Sequence, residues 1–269
     1  MPLPRQEVAS GALGDQALYV VGGFDPNRRS TADVQVFDGA WHVGPAYPFP
    51  VDHGVAAVTA GSLFVIGGNS NGRARADVYR LNVEAGRWEA VAALHHPRGA
   101  AGAAEVAGRI IVLGGTAAGV EVAAVESFDP GAGSWTDVGA LPAPRDHVAA
   151  FNWLESACAA GGRSPNSARV DCLDPATGVW TRLPDLPHAT SGAGAEVIGD
   201  QVVVAGGEDA GESVIISVVA RFRAGAWTED AMLDPRHGIQ LAGFRDRLWA
   251  CGGAGAAGYD ASAICTSIA

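Results

Sequence analysis

Lysine is missing from this chain, and all eighteen of its basic residues are arginine. That absence removes Schiff-base chemistry and the lysine of a phosphate-binding loop from consideration. Positive charge is scarce in general: 18 basic against 29 acidic residues leave a net charge of −11, which argues against general affinity for nucleic acid or an anionic membrane. No apolar run approaches the roughly 18 residues that cross a bilayer. The start, Met1-Pro2-Leu3-Pro4-Arg5, lacks the apolar core of a secretory signal. A soluble, cytoplasmic protein is the expectation. Cysteine is sparse, with four residues and no Cys-x-x-Cys, and no histidine pair falls at helical spacing. With no carboxylate array at calcium spacing either, neither a metal nor a cofactor is expected.

Glycine, by contrast, is plentiful, and it recurs in phase. A short apolar segment closed by two glycines occurs six times: LYVVGG (18–23), LFVIGG (63–68), IIVLGG (110–115), ACAAGG (157–162), VVVAGG (202–207) and LWACGG (248–253). The first glycines lie 45, 47, 47, 45 and 46 residues apart, a fixed period across the whole chain. Trp41, Trp88, Trp135, Trp180 and Trp227 follow the glycine pairs at a near-constant interval, each behind a short apolar strand and a turn such as Asp38-Gly39 or Ala85-Gly86. A proline-bearing loop comes next, often ending in arginine (Pro97-Arg98, Pro144-Arg145, Pro235-Arg236), and a small-residue strand leads to the next glycine pair. Each repeat thus holds four short strands.

This pattern resembles the Kelch repeat, whose marks are a double glycine closing the second strand, an aromatic residue in the third and a tryptophan opening the fourth. The resemblance covers essentially the whole chain and implies an all-β, six-bladed β-propeller. A four-stranded sheet cannot bury both faces alone, so it stacks against copies of itself around an axis. One domain over residues 1–269 is expected, with blades near 5–44, 51–91, 98–138, 145–183, 190–230 and 236–268. The last blade lacks a fourth strand and its tryptophan, so it should be three-stranded with at most a short N-terminal addition.

The cysteines fall as two pairs fourteen residues apart, Cys158 with Cys172 and Cys251 with Cys265. In each pair the two residues could face each other across a hairpin. Disulfides are one reading; buried free thiols, in the absence of any sign of an oxidising compartment, are the preferred one.

Strand order in such a propeller brings two sets of positions to one face, near the channel. One set starts the inner strands: Arg5 and Glu7, Asp52 and His53, Arg98, Arg145 with Asp146 and His147, Thr190, Arg236 with His237. The other follows each glycine pair: Phe24, Asn69, Thr116, Arg163, Glu208, Ala254. Arginine there suits a carboxylate or phosphate, because its planar fork binds two oxygens at once. Arg5, Asn69, Arg98, Arg145, Asp146, Arg163, Arg236 and His237 are therefore the candidate ligand contacts, although an arginine at the start of an inner strand could equally bond loop carbonyls. His53, His147, Glu7 and Glu208 are the candidate acid–base groups. Two functions compete. The first is a monomeric binding protein presenting an arginine-rich mouth to an anionic small molecule or an acidic protein segment. The alternative, by similarity to six-bladed sialic acid mutarotases, is an enzyme of isomerase or cyclase type without a redox metal.

Overall fold

Apolar strand residues alternate with glycine turns along the whole chain, and a computed structural model, which describes residues 1–268, folds each such unit into an antiparallel meander. Blade 1 consists of Ala9–Leu13, Ala17–Val21, Val34–Phe37 and Trp41–Val43, hydrogen-bonded in chain order. Blades 2 to 5 repeat that order, and small hairpins are inserted after the glycine pairs of blades 2 and 3. Blade 6 has three strands, Leu241–Phe244, Arg247–Cys251 and Cys265–Ile268. The result is a six-bladed β-propeller with the inner strands around the axis.

Two rings of backbone hydrogen bonds tie the blades together. In the first, the second glycine of each pair donates its N–H to the start of the next inner strand: Gly23 to Val51, Gly68 to Arg98, Gly115 to Arg145, Gly162 to Thr190, Gly207 to Arg236 and Gly253 to Arg5, all between 2.7 and 3.1 Å. The approach explains the glycines. A Cβ on Gly206 would stand 2.2 Å from the Arg236 carbonyl oxygen, and one on Gly22 2.4 Å from that of Val51, while both residues have left-handed φ (70° and 65°).

The second ring lies at the axis. Glu7 donates to Gly238, His53 to Glu7, Ala100 to His53, His147 to Ala100, Gly192 to His147 and Gly238 to Gly192, a closed cycle of N–H···O=C bonds with one residue per blade. Every member is left-handed, with φ from 51° to 66°. Only Gly192 and Gly238 do so without steric cost; the other four are held there by the ring.

Between blades the aromatic residues pack as the repeat implies. The indole Nε1 of Trp88, Trp135 and Trp227 donates to the carbonyl of Pro45, Ala92 and Pro184, each 43 residues earlier on the preceding blade, at 2.8–2.9 Å. The N-terminus completes blade 6 as a stub. The Met1 amino group donates to Ala263 O at 2.7 Å and Arg5 N–H to Ser262 O at 2.9 Å, and Leu3 pairs with the Gln35 amide.

Two expectations are overturned. Arg98, Arg145 and Arg236 do not reach the channel mouth; they are 0–1% exposed and turn into their own blades. Each donates to the first glycine carbonyl of its blade sixteen residues on, Gly114, Gly161 and Gly252. Thr190 does the same through its hydroxyl to Gly206. Arg98 also pairs with buried Glu126 and Arg145 with Asp171, whereas among the described residues Arg236 finds only carbonyls and the Thr266 hydroxyl. Burial without a carboxylate contact pulls the Arg236 guanidinium down to about 10. Arg5 is likewise a clamp, bound to Thr31, Pro4 O and Asp33. These side chains satisfy carbonyls that the glycine turns leave open, which is why they are not ligand contacts. The cysteines are the second correction. Cys158 lies opposite Cys172 and Cys251 opposite Cys265 in the strand register, and both pairs are joined as disulfides.

One inner-strand residue breaks the packing rule. Four positions after the ring, the other blades carry Gly11, Ala57, Ala104, Phe151 and Ala242; blade 5 carries Glu196. Burial raises its carboxyl to about 7, and the N–H of Val197 is its hydrogen-bond partner.

Three measurements test this description. Arg98→Met leaves Glu126 buried without its cation and should cost about 3–5 kcal/mol in urea unfolding, whereas Arg163→Met, at the partly exposed mouth, should cost under about 1 kcal/mol. Thiol titration of unreduced, denatured protein should return no free cysteine, and four after reduction. Glu196 holds its proton more tightly folded than unfolded, so it stabilises below the unfolded value of 4.5 and loses that contribution as pH rises through about 7. Glu196→Gln should therefore gain about 1–3 kcal/mol over wild type at pH 8 and nothing at pH 4; an equal effect at both pH values would refute the assignment.

Candidate functional site

Side chains of the axial ring point where six blades meet, and three of the six ring residues carry chemistry: Glu7, His53 and His147. The residue before each ring member pairs by a short bridge with the residue after the glycine pair: Gln6 with Phe24, Asp52 with Asn69, Gly99 with Thr116, Asp146 with Arg163, Ser191 with Glu208, His237 with Ala254. The two sets of sequence positions thus do converge, and of the twelve candidates the structure gathers Glu7, His53, His147, Glu208, Asn69, Asp146, Arg163 and His237.

The contacts are specific. Asp52 Oδ1 lies 2.6 Å from His53 Nδ1, and Asp146 Oδ1 lies 3.1 Å from His147 Nδ1. His53 Nε2 is 3.6 Å from Glu7 Oε2, and the His53 and His147 rings meet edge to face at 5.0 Å. His237, 2% exposed, sits between two carboxylates, its Nδ1 3.6 Å from Glu7 Oε1 and its Nε2 3.4 Å from Glu208 Oε2. Arg163 reaches over the mouth. Its Nε donates to Asp146, its Nη1 pairs with Glu212, and its Nη2 stands 3.3 Å from His147 Nε2. Asn69 Nδ2 donates to Asp52 at 3.4 Å. Phe24 packs edge-on to His53, and Tyr259, with Arg28 over its ring, walls the blade 6 side.

Electrostatics follows from these neighbours. Burial works against ionisation of Glu7, yet the surrounding His53, His237 and His147 hold its carboxyl far below the usual range. Burial also opposes the charged forms of His53 and His237, but Glu7 with Asp52 in one case, and Glu7 with Glu208 in the other, lift both imidazoles. Burial raises Glu208, against the pull of the Gly258 N–H and His237. The site is a cluster in which acids and bases set each other's protonation.

Glu212 and Tyr259 were not among the sequence candidates. Both lie in loops after glycine pairs, and that placement is the one signal that could have found them. The cavity directly beneath the ring is small, ≈ 60 Å³, and is lined by the ring itself and the following inner-strand residues. The wider cavity, ≈ 780 Å³, opens at the opposite end of the channel, and Gln240 lines both. Its amide spans the gap, accepting from Ser10 and Ala56 N–H and donating to Ala56 O.

Among known proteins, the family model described as the KLHDC2/KLHL20/DRC7 Kelch-repeats domain matches residues 43–207, that is 165 of 269. No curated protein matches the chain. A solved structure, "Structure of YjhT", is similar with a TM-score of 0.84 and 19% identity, over 100% of this chain and 95% of that one. At that identity the likeness speaks to the fold alone.

Proposed function

The chain belongs to the Kelch-repeat family, and from that premise we propose that the ring mouth is a small-molecule site for a compact, carboxylate-bearing ligand, with proton exchange as its chemistry. The observation that carries this reading is the convergence of Glu7, His53, His147 and His237 on one opening with Arg163 across it. With Arg98, Arg145 and Arg236 committed to their blades, the broad basic surface that an acidic protein segment needs is reduced, and Arg163 is the mouth's buried-edge cation. A carboxylate taking the place of Glu212 on Arg163 would lie beside His147 Nε2. Paired acid and base groups in that position suit isomerisation of a small acid, a reaction that needs a proton removed on one atom and returned on another. The ≈ 60 Å³ beneath the ring accommodates no organic ligand, so the molecule would rest on the ring and not in the channel.

A thermal-shift screen of small carboxylates and sugar acids against acidic peptides, run with a chelator present, tests this. Small acids should raise the melting temperature, and Arg163→Met should weaken the hits about 10–100-fold through loss of a charge-assisted pair. Hits confined to acidic peptides, or hits that survive both Arg163→Met and His147→Ala, would refute the reading.

A further inference from the structure

We propose that Glu7, His53 and His147 together form a binding site for one divalent transition-metal cation of the zinc type at the propeller axis. All three occupy the same ring position, in blades 1, 2 and 4, so their backbones are fixed relative to one another by the closed hydrogen-bond cycle. One ligand atom from each lies within 4.8 Å of the other two, and His53 Nε2 with Glu7 Oε2 is already at 3.6 Å. Two donors bound to zinc at about 2.1 Å stand roughly 3.4 Å apart in tetrahedral geometry. Separations within 4.8 Å come to that spacing with side-chain adjustment of about 1.4 Å at most.

Each ligand also has an outer partner of the kind metal sites use. Asp52 Oδ1 and Asp146 Oδ1 stand against the Nδ1 of His53 and His147 at 2.6 and 3.1 Å, so a cation bound through Nε2 would leave each Nδ1–H donating to a carboxylate that fixes the ring plane. His237 Nδ1 stands 3.6 Å behind Glu7 Oε1, and Glu208 stands behind His237. Two neutral imidazoles and one carboxylate are a borderline donor set that favours zinc-like ions over magnesium or calcium. The remaining coordination positions face the open mouth. There Arg163 Nη2 would withdraw from His147 Nε2 and remain within reach of an anion held by the cation.

No motif search along the chain finds such a site, because its ligands are 46 and 94 residues apart (7 to 53, 53 to 147), one and two repeat lengths. The inference rests on the same mouth as the small-acid reading but not on its proton chemistry: with the cation bound, Glu7, His53 and His147 are ligands and no longer free acid–base groups, so the two readings concern the loaded and the metal-free site. Cation binding is measured with no organic ligand present, and the acid screen is run with chelator.

Isothermal titration of metal-stripped full-length protein with zinc chloride is the test. One high-affinity zinc per chain is expected, with magnesium giving no comparable heat. His53→Ala, His147→Ala and Glu7→Gln should each weaken zinc at least 100-fold, and Asp52→Asn about 10-fold. Alanine is tolerated at this position, since Ala100 fills the same place in blade 3 with φ 54°, so the histidine variants should fold. A second group joins loop residue His95 to Glu126 and Asp137 on the third and fourth strands of blade 3, and His95→Ala should leave the tight site unchanged. The proposal fails if wild type takes up no zinc, if binding persists in the His53→Ala, His147→Ala double variant, or if His95→Ala abolishes it.

Discussion

The hydrogen-bond cycle at the axis is the constraint on which the rest depends. Six backbone amides, one from each blade, each donate to a neighbouring blade, and the cycle closes only because every donor residue adopts a left-handed conformation. For Gly192 and Gly238 that conformation is free. For Glu7, His53, Ala100 and His147 it stores strain of order 1 kcal/mol each, offset by the ring bond and by packing of the inner strands. Three of the four non-glycine members bear ionisable side chains, so the strained positions and the candidate chemistry coincide. A repeat that needed only closure could use glycine throughout.

Burial sorts the charged residues into two populations. The arginines that open inner strands are internal fasteners: Arg98, Arg145 and Arg236 answer glycine-turn carbonyls, Arg5 holds Thr31 and Asp33, and Arg98 and Arg145 carry a carboxylate with them. Two residues further along the chain, the side chain points to the axis, and the same local sequence serves recognition. Arg145, Asp146 and His147 illustrate the division within three consecutive residues: the first is locked in the blade, the second orients the third, and the third lines the mouth. Blade 2 uses Asp52 and His53 in the same way.

How far this was legible in the chain can be argued from those residues. The glycine pairs, the phased tryptophans and the missing outer strand of the last repeat lead to six blades with a three-stranded sixth, because steric demand at a blade-to-blade crossing is a local property that selects glycine. His53 and His147 could be placed at one position of the repeat for the same reason. Whether Arg98 faces ligand or carbonyl could not be read, since both readings put arginine at that position. Which cysteines face each other could be read from the repeat, but whether they bond depends on strand register to the residue, and Glu196 was closed to local reasoning because its burial depends on the channel behind it.

Sequence by itself therefore determined the repeat, its count and the face on which the polar positions gather, since glycine, tryptophan and strand alternation act through neighbours a few residues away. Tertiary structure alone decided which polar residues meet. Glu7, His53, His147 and His237 come from four blades spread over 231 residues, and only closure of the ring brings the imidazoles of His53 and His237 to 3.6 Å from the Glu7 carboxylate. Distances of that order control charge, protonation and ligation, and they are set by the axis the blades share, a property that no single repeat possesses.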